Sequence, residues 1–236
     1  MSGQRGLALI LALLATAFLS VVGLGLALVV FMDRLAAGNA SDSVGLRHAA
    51  EAGIELAAHE FARADWQAVL QGVEQATFSD GSPTGVRAIP GAGADAGAVN
   101  LTAETNLLNC GKTTACTAAQ MNANTEDRPW GANNPRWRLY AYGPFANLAA
   151  IARPVPCYLA VWIADDVAEV DGDPQADGDL EGRGVLRARA VAFGPRGGRQ
   201  AVEAELARVC VGPAGGPMCQ PGIRVQSWQV VRQQVP

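Results

Sequence analysis

The pattern of hydrophobic and polar positions changes sharply near residue 33. From Leu7 to Met32 the chain has 26 consecutive uncharged residues, nearly all of them apolar. As an α-helix this run would be about 39 Å long, and crossing a bilayer takes about 20 apolar residues. The pattern therefore predicts a transmembrane helix over residues 7–32.

The charges that flank this run predict its orientation. The positive charges of Arg5 and the amino terminus precede the run, whereas the opposite charges of Asp33 and Arg34 cancel each other after it. Because positive charge favours the cytoplasmic side, we expect the short end in the cytoplasm and the rest of the chain outside. The alternative is a cleaved secretory signal peptide, although its apolar stretch is normally shorter and ends at a small-residue cleavage site.

A helical period continues beyond Asp33, and its apolar positions share one face. These positions are Leu35, Leu46, Ala50, Ile54, Ala57, Phe61 and Ala64. The charged residues lie mostly on other faces, and no proline occurs between Met1 and Ser82. The pattern predicts one long helix over residues 7–75, apolar all round at first and amphipathic later, as suits docking on a domain.

Strand patterns concentrate in the second half of the chain. They cover residues 137–142, 157–163, 184–193, 199–209 and 224–232. Residues 79–99 contain five Gly and two Pro, which predicts a loop that follows the helix. We therefore predict an α+β fold in which an antiparallel sheet, within an exported domain of residues 76–236, packs against the amphipathic half of the helix.

One predicted hairpin carries opposite charges on its two strands. A turn over residues 194–198 would bring Arg187 and Arg189 opposite Glu203 and Glu205. If these side chains face solvent, each pair contributes well under about 1 kcal/mol.

Composition and motifs narrow the function. Half of the residues are hydrophobic, with much of the excess in residues 7–32, and the formal net charge is −4. Without a basic field, nucleic-acid binding has no electrostatic basis. The sequence also has no GxSxG, HExxH or P-loop motif, so we expect no enzymatic activity.

The amino-terminal region resembles the PilX-type minor pilins of type IV pili. The resemblance covers about the first 60 residues and depends on three motifs, QRGLALIL at 4–11, AGN at 37–39 and AAEAGIE at 49–55. It implies a ladle-shaped fold and a leader of residues 1–6. A prepilin peptidase would cut between Gly6 and Leu7 and methylate the new amino terminus.

The resemblance also implies a place in an assembly. The helix would first lie in the bacterial inner membrane, with the exported domain in the periplasm. The subunit would later reach the cell surface as part of a pilus. The implied partners are other minor pilins, the major pilin and the inner-membrane assembly proteins, with a tip adhesin as a further candidate. Such a subunit would prime pilus assembly and support adhesion or motility.

Four residues of the long helix are candidates for packing in the filament. Gly23 and Gly25 would permit close approach of a neighbouring helix, and Glu51 belongs to the third motif. Leu11 stands where major pilins carry a glutamate that neutralises a neighbouring amino terminus. The absence of this glutamate fits a subunit at the filament tip. The alternative is that Leu11 is one more residue of the membrane-spanning helix.

The five cysteines all follow the predicted export boundary, where cysteines usually pair. Cys110 with Cys116 and Cys210 with Cys219 are local candidates, which would leave Cys157 over. The sequence alone does not fix this connectivity.

An acidic segment is a candidate calcium site. Asp171, Asp173, Asp177 and Asp179 alternate with other residues in a Gly-containing stretch, and calcium takes six to eight oxygen ligands from such turning segments. The spacing is not that of an EF-hand. The alternative is a solvated acidic turn between two strands.

Two other functions remain open at this point. The chain could be a GspK-type minor pseudopilin of type II secretion, although those chains usually carry an added helical domain. It could also be a single-pass anchored enzyme or binding protein that enters no filament.

Overall fold

The computed structural model describes six stretches of the chain, residues 3–91, 97–123, 135–148, 155–167, 184–211 and 220–231. The chain divides into two compact units, Met1–Asp42 and Ser43–Pro236, and the second is called the head below. The sequence places the domain boundary at residue 76. The head begins earlier because the amphipathic part of the long helix belongs to its core.

Five helices lie in the described stretches. They are α1 (Gly3–Phe61), α2 (Trp66–Gln71), α3 (Leu101–Cys110), α4 (Ala118–Ala123) and α5 (Phe145–Leu148). The first has 59 residues and contains the whole apolar run.

The strands form two sheets. They are β1 (Val86–Ala88), β2 (Ala98–Asn100), β3 (Arg138–Pro144), β4 (Tyr158–Asp165), β5 (Val185–Phe193), β6 (Arg199–Val211) and β7 (Gln220–Val231). The first two pair with each other, and the other five form one sheet in chain order with every neighbouring pair antiparallel. All five patterns predicted as strands therefore form the large sheet.

The carboxyl-terminal part of α1 packs on one face of the large sheet. Its buried residues there are Leu46, Ala49, Ala50, Gly53, Ile54, Ala57 and Phe61. They meet the inward side chains of β4, β5 and β6, such as Leu159, Ala190 and Val202. The predicted α+β arrangement is thus confirmed. Leu35, which the sequence placed on the same face, is 50% exposed because the buried part of the helix begins at Leu46.

The predicted end of the long helix is wrong. The sequence extended it to residue 75, whereas α1 ends at Phe61 and a turn leads to α2. Asp65 caps α2, since its carboxylate accepts hydrogen bonds from the backbone nitrogens of Gln67 and Ala68 at 3.1 and 3.4 Å. The indole nitrogen of Trp66 donates to the Phe61 carbonyl oxygen at 2.9 Å, which holds the turn closed. The helical pattern of the sequence thus continues in a second helix.

The prediction of a loop over residues 79–99 also needs correction, because β1 and part of β2 lie in it. Val86 pairs with Asn100, and Ala88 pairs with Ala98. Val99 and Leu101 are buried in a second apolar cluster. Three-residue strands have too little alternation to be recognised, and their pairing depends on contacts with residues far along the chain.

This second cluster covers the other face of the sheet. It includes Trp137, Tyr142, Tyr158 and Trp162 from β3, β4 and the segment before them, together with Leu101 of α3. Because both faces are covered, all eight residues of β4 are buried.

The charged hairpin pairs as predicted but lies in a different environment. Arg189 is in register with Glu203, and Arg187 with Glu205. Arg187 and Arg189 both donate to the carboxylate of Glu203, the second at 3.3 Å. Arg187 and Glu203 are only 8% and 5% exposed. Removing one partner of a buried pair costs about 3–5 kcal/mol, so the estimate made for a solvent-facing pair does not apply.

Candidate functional site

The first part of α1 is an exposed apolar surface. Every Leu, Ile, Val, Phe and Met from Leu9 to Met32 is between 42% and 69% exposed. Within the described residues one helix, Leu9–Phe61, is long and apolar enough to cross a membrane, with a mean hydropathy of 2.5 in its most apolar window. Such a surface is stable against lipid or against other apolar helices but not in water. This segment is therefore compatible with membrane anchoring.

The two hydroxyl groups in this segment are satisfied within the helix. Thr16 donates to the carbonyl oxygen of Leu13 at 3.0 Å, and Ser20 donates to that of Thr16 at 2.8 Å. Neither hydroxyl needs water, which suits an apolar surrounding.

Three of the four residues predicted to pack in a filament, Leu11, Gly23 and Gly25, lie on this exposed surface. Leu11 is 58% exposed. A Cβ atom placed on Gly23 or Gly25 would meet nothing within 4 Å, so each glycine leaves a shallow notch in the helix. Gly6 and Leu7 lie in α1, but the exposure of these two residues is outside the described part of the structure. The structure therefore leaves the cleavage site a prediction.

Glu51 belongs to a small charged cluster on the outer side of α1. Its carboxylate lies 2.8 Å from Nε of Arg47 and 3.0 Å from Nδ1 of His48. Partial burial raises the pKa of Glu51, but the hydrogen bonds and charges of Arg47 and His48 outweigh it and hold the pKa below its ordinary value. The cluster is compatible with a polar contact surface next to the docked face of the helix.

The cysteine candidates divide between described and undescribed parts of the chain. A disulfide joins Cys110 and Cys116, with Cα atoms 6.1 Å apart, and fastens the end of α3 to the next segment. Cys219 and the side chain of Cys210 lie outside the described residues. Cys157 is a free thiol within the head, and burial raises its pKa to about 12.

The candidate calcium ligands Asp171, Asp173, Asp177 and Asp179 also lie outside the described residues. Among those that are described, no group of three or more His, Cys, Asp or Glu side chains is placed to hold a metal ion. The calcium prediction stays open.

One polar link in the head has no signal in the sequence. The hydroxyl of Tyr140 donates to Glu60 at 2.8 Å, and the backbone nitrogen of Thr77 donates to the same carboxylate at 3.1 Å. Burial and the hydrogen bond to Glu60 raise the pKa of Tyr140. Glu60 is 17 positions from Thr77 and 80 positions from Tyr140 along the chain. Only the fold brings the three residues together. The link fastens α1 to the edge strand β3.

Sequence reasoning also missed a cavity of about 460 Å³ beside β3, which is lined by residues of α2, α3 and β3. No single motif marks its lining, because the residues come from separate segments.

No family model, no curated protein and no solved structure matches this chain. A functional conclusion therefore depends on the residues and the geometry described above.

Proposed function

We propose that the chain is a minor pilin of a type IV pilus, of the PilX type, which is assembled at or near the pilus tip. The observation that supports this most is α1 itself. One helix carries an exposed apolar surface from Leu9 to Met32, and its later part docks on an antiparallel sheet. Together with the motif over residues 4–11, this arrangement matches a pilin, whose helix serves first as a membrane anchor and later as a packing element.

In this proposal the mechanism is physical rather than chemical. The apolar part of α1 exchanges lipid neighbours in the inner membrane for the helices of other pilins. Lipid tails are as apolar as leucine, so the exchange depends on close packing and on hydrogen bonds more than on the hydrophobic effect. The open notches at Gly23 and Gly25 suit such packing. The head then contacts other minor pilins, and the complex primes assembly of the major pilin.

Leu11 supports a place at the tip. A charged amino terminus buried between helices is costly unless it is neutralised. A leucine at this position supplies no carboxylate to a neighbouring subunit. The cost does not arise if no subunit needs that carboxylate, as is the case at the end of a filament.

Mass spectrometry of the amino terminus tests the proposal. The protein isolated from its native membrane should begin with N-methyl-leucine at Leu7. Gly6→Leu should leave the leader attached, because the peptidase would no longer fit its site, whereas the matched Gly3→Leu should be processed normally. An intact Met1 on the unaltered protein would exclude a pilin and a pseudopilin alike, and would favour a single-pass anchored protein.

A deletion experiment separates the pilus from type II secretion. Loss of the chain should reduce surface pili and leave the amount of secreted enzymes unchanged. The opposite result would identify a GspK-type pseudopilin.

A further inference from the structure

The last strand of the large sheet, β7, has an open outer edge. In the described part of the chain its strand partner is β6, on its inner side. The opposite edge of the sheet is covered, because the backbone nitrogen of Tyr142 in β3 donates to the carbonyl oxygen of Phe78 at 3.0 Å and Ser79 forms a parallel bridge with Tyr142. The chain thus covers one edge, whereas the other, as far as the structure describes it, offers backbone groups to a further strand.

The sequence of β7 lacks the usual protection of a sheet edge. The seven residues from Val225 to Val231 include no charged residue and no proline. Natural edge strands commonly carry charges or proline, which prevent another strand from pairing with them. A typical strand has about five to six residues, so the neutral stretch is long enough to pair with one.

A β-bulge in β7 places exposed apolar side chains on one face of the sheet. Val225 and Trp228 are three positions apart, so regular alternation would direct them to opposite faces. The register shifts between Glu205 and Leu206 of β6, with the result that Val225 pairs with Leu206 and Trp228 pairs with Ala204. Leu206 and Ala204 both belong to the cluster on the α1 face of the sheet. The bulge therefore directs Val225 and Trp228 to that same face.

Val225, Trp228 and Val230 form an apolar surface beside α1, which is called the β7 shelf below. They are 44%, 40% and 39% exposed, because α1 packs on β4, β5 and β6, whereas Ile223 is the β7 residue that packs against this cluster. Six large apolar side chains of the described head are exposed, and three of them form the shelf. Clustered apolar residues mark contact surfaces, and tryptophan is enriched among the residues that dominate binding.

We propose that β7 binds an extended, uncharged segment from the head of another minor pilin, which adds to the sheet as a further strand and covers the shelf. Main-chain hydrogen bonds along the open edge hold the segment, and its apolar side chains pack beside Trp228 and Val230. A charged segment would lose its water against the shelf without a partner for its charge. This inference rests on the proposed function, in which the head contacts other minor pilins, and it names the surface of that contact.

The bulge also favours a different subunit over a second copy of this chain. Two antiparallel β7 strands would keep their side-chain alternation in step on only one side of the bulge, because each strand has one extra residue there. A strand of another sequence can carry the spacing that matches β7 along its length.

Photo-crosslinking in the bacterium that produces the protein tests this contact. The full chain carries p-benzoylphenylalanine in place of Trp228, and the matched control carries it in place of Val86, an apolar residue of β1 that is 62% exposed. Position 228 should give a product with another protein that has a prepilin-type amino terminus, identified by mass spectrometry. The yield should exceed that of position 86 at least about tenfold.

Charged variants test the chemistry of the surface. Val230→Lys should lower the yield at position 228 about tenfold, because the bound segment would have to pack against a charge, whereas Val86→Lys should leave it unchanged. If Val230→Lys fails to fold, as judged by thermal melting, Ser227→Lys replaces it. Ser227 is exposed and pairs with Glu205 on the other face of the sheet. A charge there opposes strand addition without touching the shelf.

Three results would overturn the inference. The first is an equal yield at positions 228 and 86. The second is a product that contains a second copy of this chain, a lipid or a protein without a prepilin-type amino terminus. The third is an unchanged yield in the folded charged variants at position 230 or 227.

The amino terminus of the same sample separates this inference from the proposed function. N-methyl-leucine at Leu7 without the expected product would overturn the inference alone. An intact Met1 would overturn the proposed function as well.

Discussion

Individual side chains in the head owe their chemistry to burial. Cys157 is 1% exposed and precedes β4, where the sheet and α1 enclose it. Burial raises the pKa of this thiol to about 12, because a thiolate there would be poorly solvated. At neutral pH the thiol stays protonated and does not react, which distinguishes it from the redox-active cysteines of exposed sites.

This pKa predicts how stability changes with pH. The unfolded chain releases the Cys157 proton near the ordinary pKa of 9.0, and the folded chain only near 12. The folded state is therefore fully favoured below pH 9 and loses that advantage as the pH rises toward 12, by at most about 1.4 kcal/mol per pH unit. Urea unfolding of the full chain in micelles, repeated from about pH 8 to about pH 10.5, measures the change.

Cys157→Ala provides the comparison, because Tyr158 has a pKa raised to about 12 by the same burial and adds its own dependence. The variant should keep the contribution of Tyr158 and show a shallower loss of stability above pH 9. If the two proteins lose stability in parallel, the thiol does not titrate as proposed.

At the level of elements, the contact between α1 and the large sheet organises the head. A glycine at position 53 gives this contact room, since an added Cβ would lie 3.0 Å from Cβ of Ala190 and 3.1 Å from side-chain atoms of Leu159 and Val161. Any side chain there would require these neighbours to shift by a few tenths of an ångström. Glycine has a weak helix propensity, which offsets part of the stability gained from this contact.

Gly53→Val should therefore destabilise the head. Valine would have to push the helix away from a packed surface, and overpacking of this kind costs about 1–3 kcal/mol. Gly38→Val makes the same chemical change where nothing lies within 4 Å, and should alter stability by less than about 0.5 kcal/mol. Thermal unfolding of both variants decides the matter, and equal shifts would mean that the contact at Gly53 is not tight.

In the whole molecule most apolar side chains fall into two groups, one buried in the head and one exposed on the first part of α1. The head, Ser43–Pro236, buries its apolar residues in two clusters on the two faces of one sheet. The large apolar side chains from Leu9 to Met32, in contrast, are exposed. The head should consequently need neither lipid nor another subunit to fold.

Removal of residues 1–32 tests this division. The shortened chain should move from the membrane fraction to the aqueous fraction and should unfold in one cooperative transition, because its core is complete. The full chain should stay with the membrane after a high-salt wash. A shortened chain that remains with the membrane, or that unfolds without cooperativity, would contradict the independence of the head.

Much of the fold could be predicted, because its signals are local. The apolar run identified the exposed part of α1, and the period of 3.6 residues identified the docked face from Leu46 to Phe61. Alternation and turn residues identified all five strands of the large sheet. Such patterns arise because each residue's side-chain direction is fixed by its own helix or strand.

The site was less predictable because its residues meet only through the fold. The cavity beside β3 joins Gly72, Thr102 and Arg138, which no spacing rule connects. The hydrogen bond between Glu60 and Tyr140 spans 80 positions in the same way.

By itself the sequence determined that the chain has an apolar helix long enough to span a membrane. It also determined that the second half of the chain forms an antiparallel sheet of hairpins. The tertiary structure decided where α1 ends, that Arg187 and Glu203 are buried, and that a cavity opens beside β3. The physical reason is the range of the forces involved. Periodicity records which face of an element is apolar, whereas burial, cavities and cross-sheet hydrogen bonds depend on which elements come together in space.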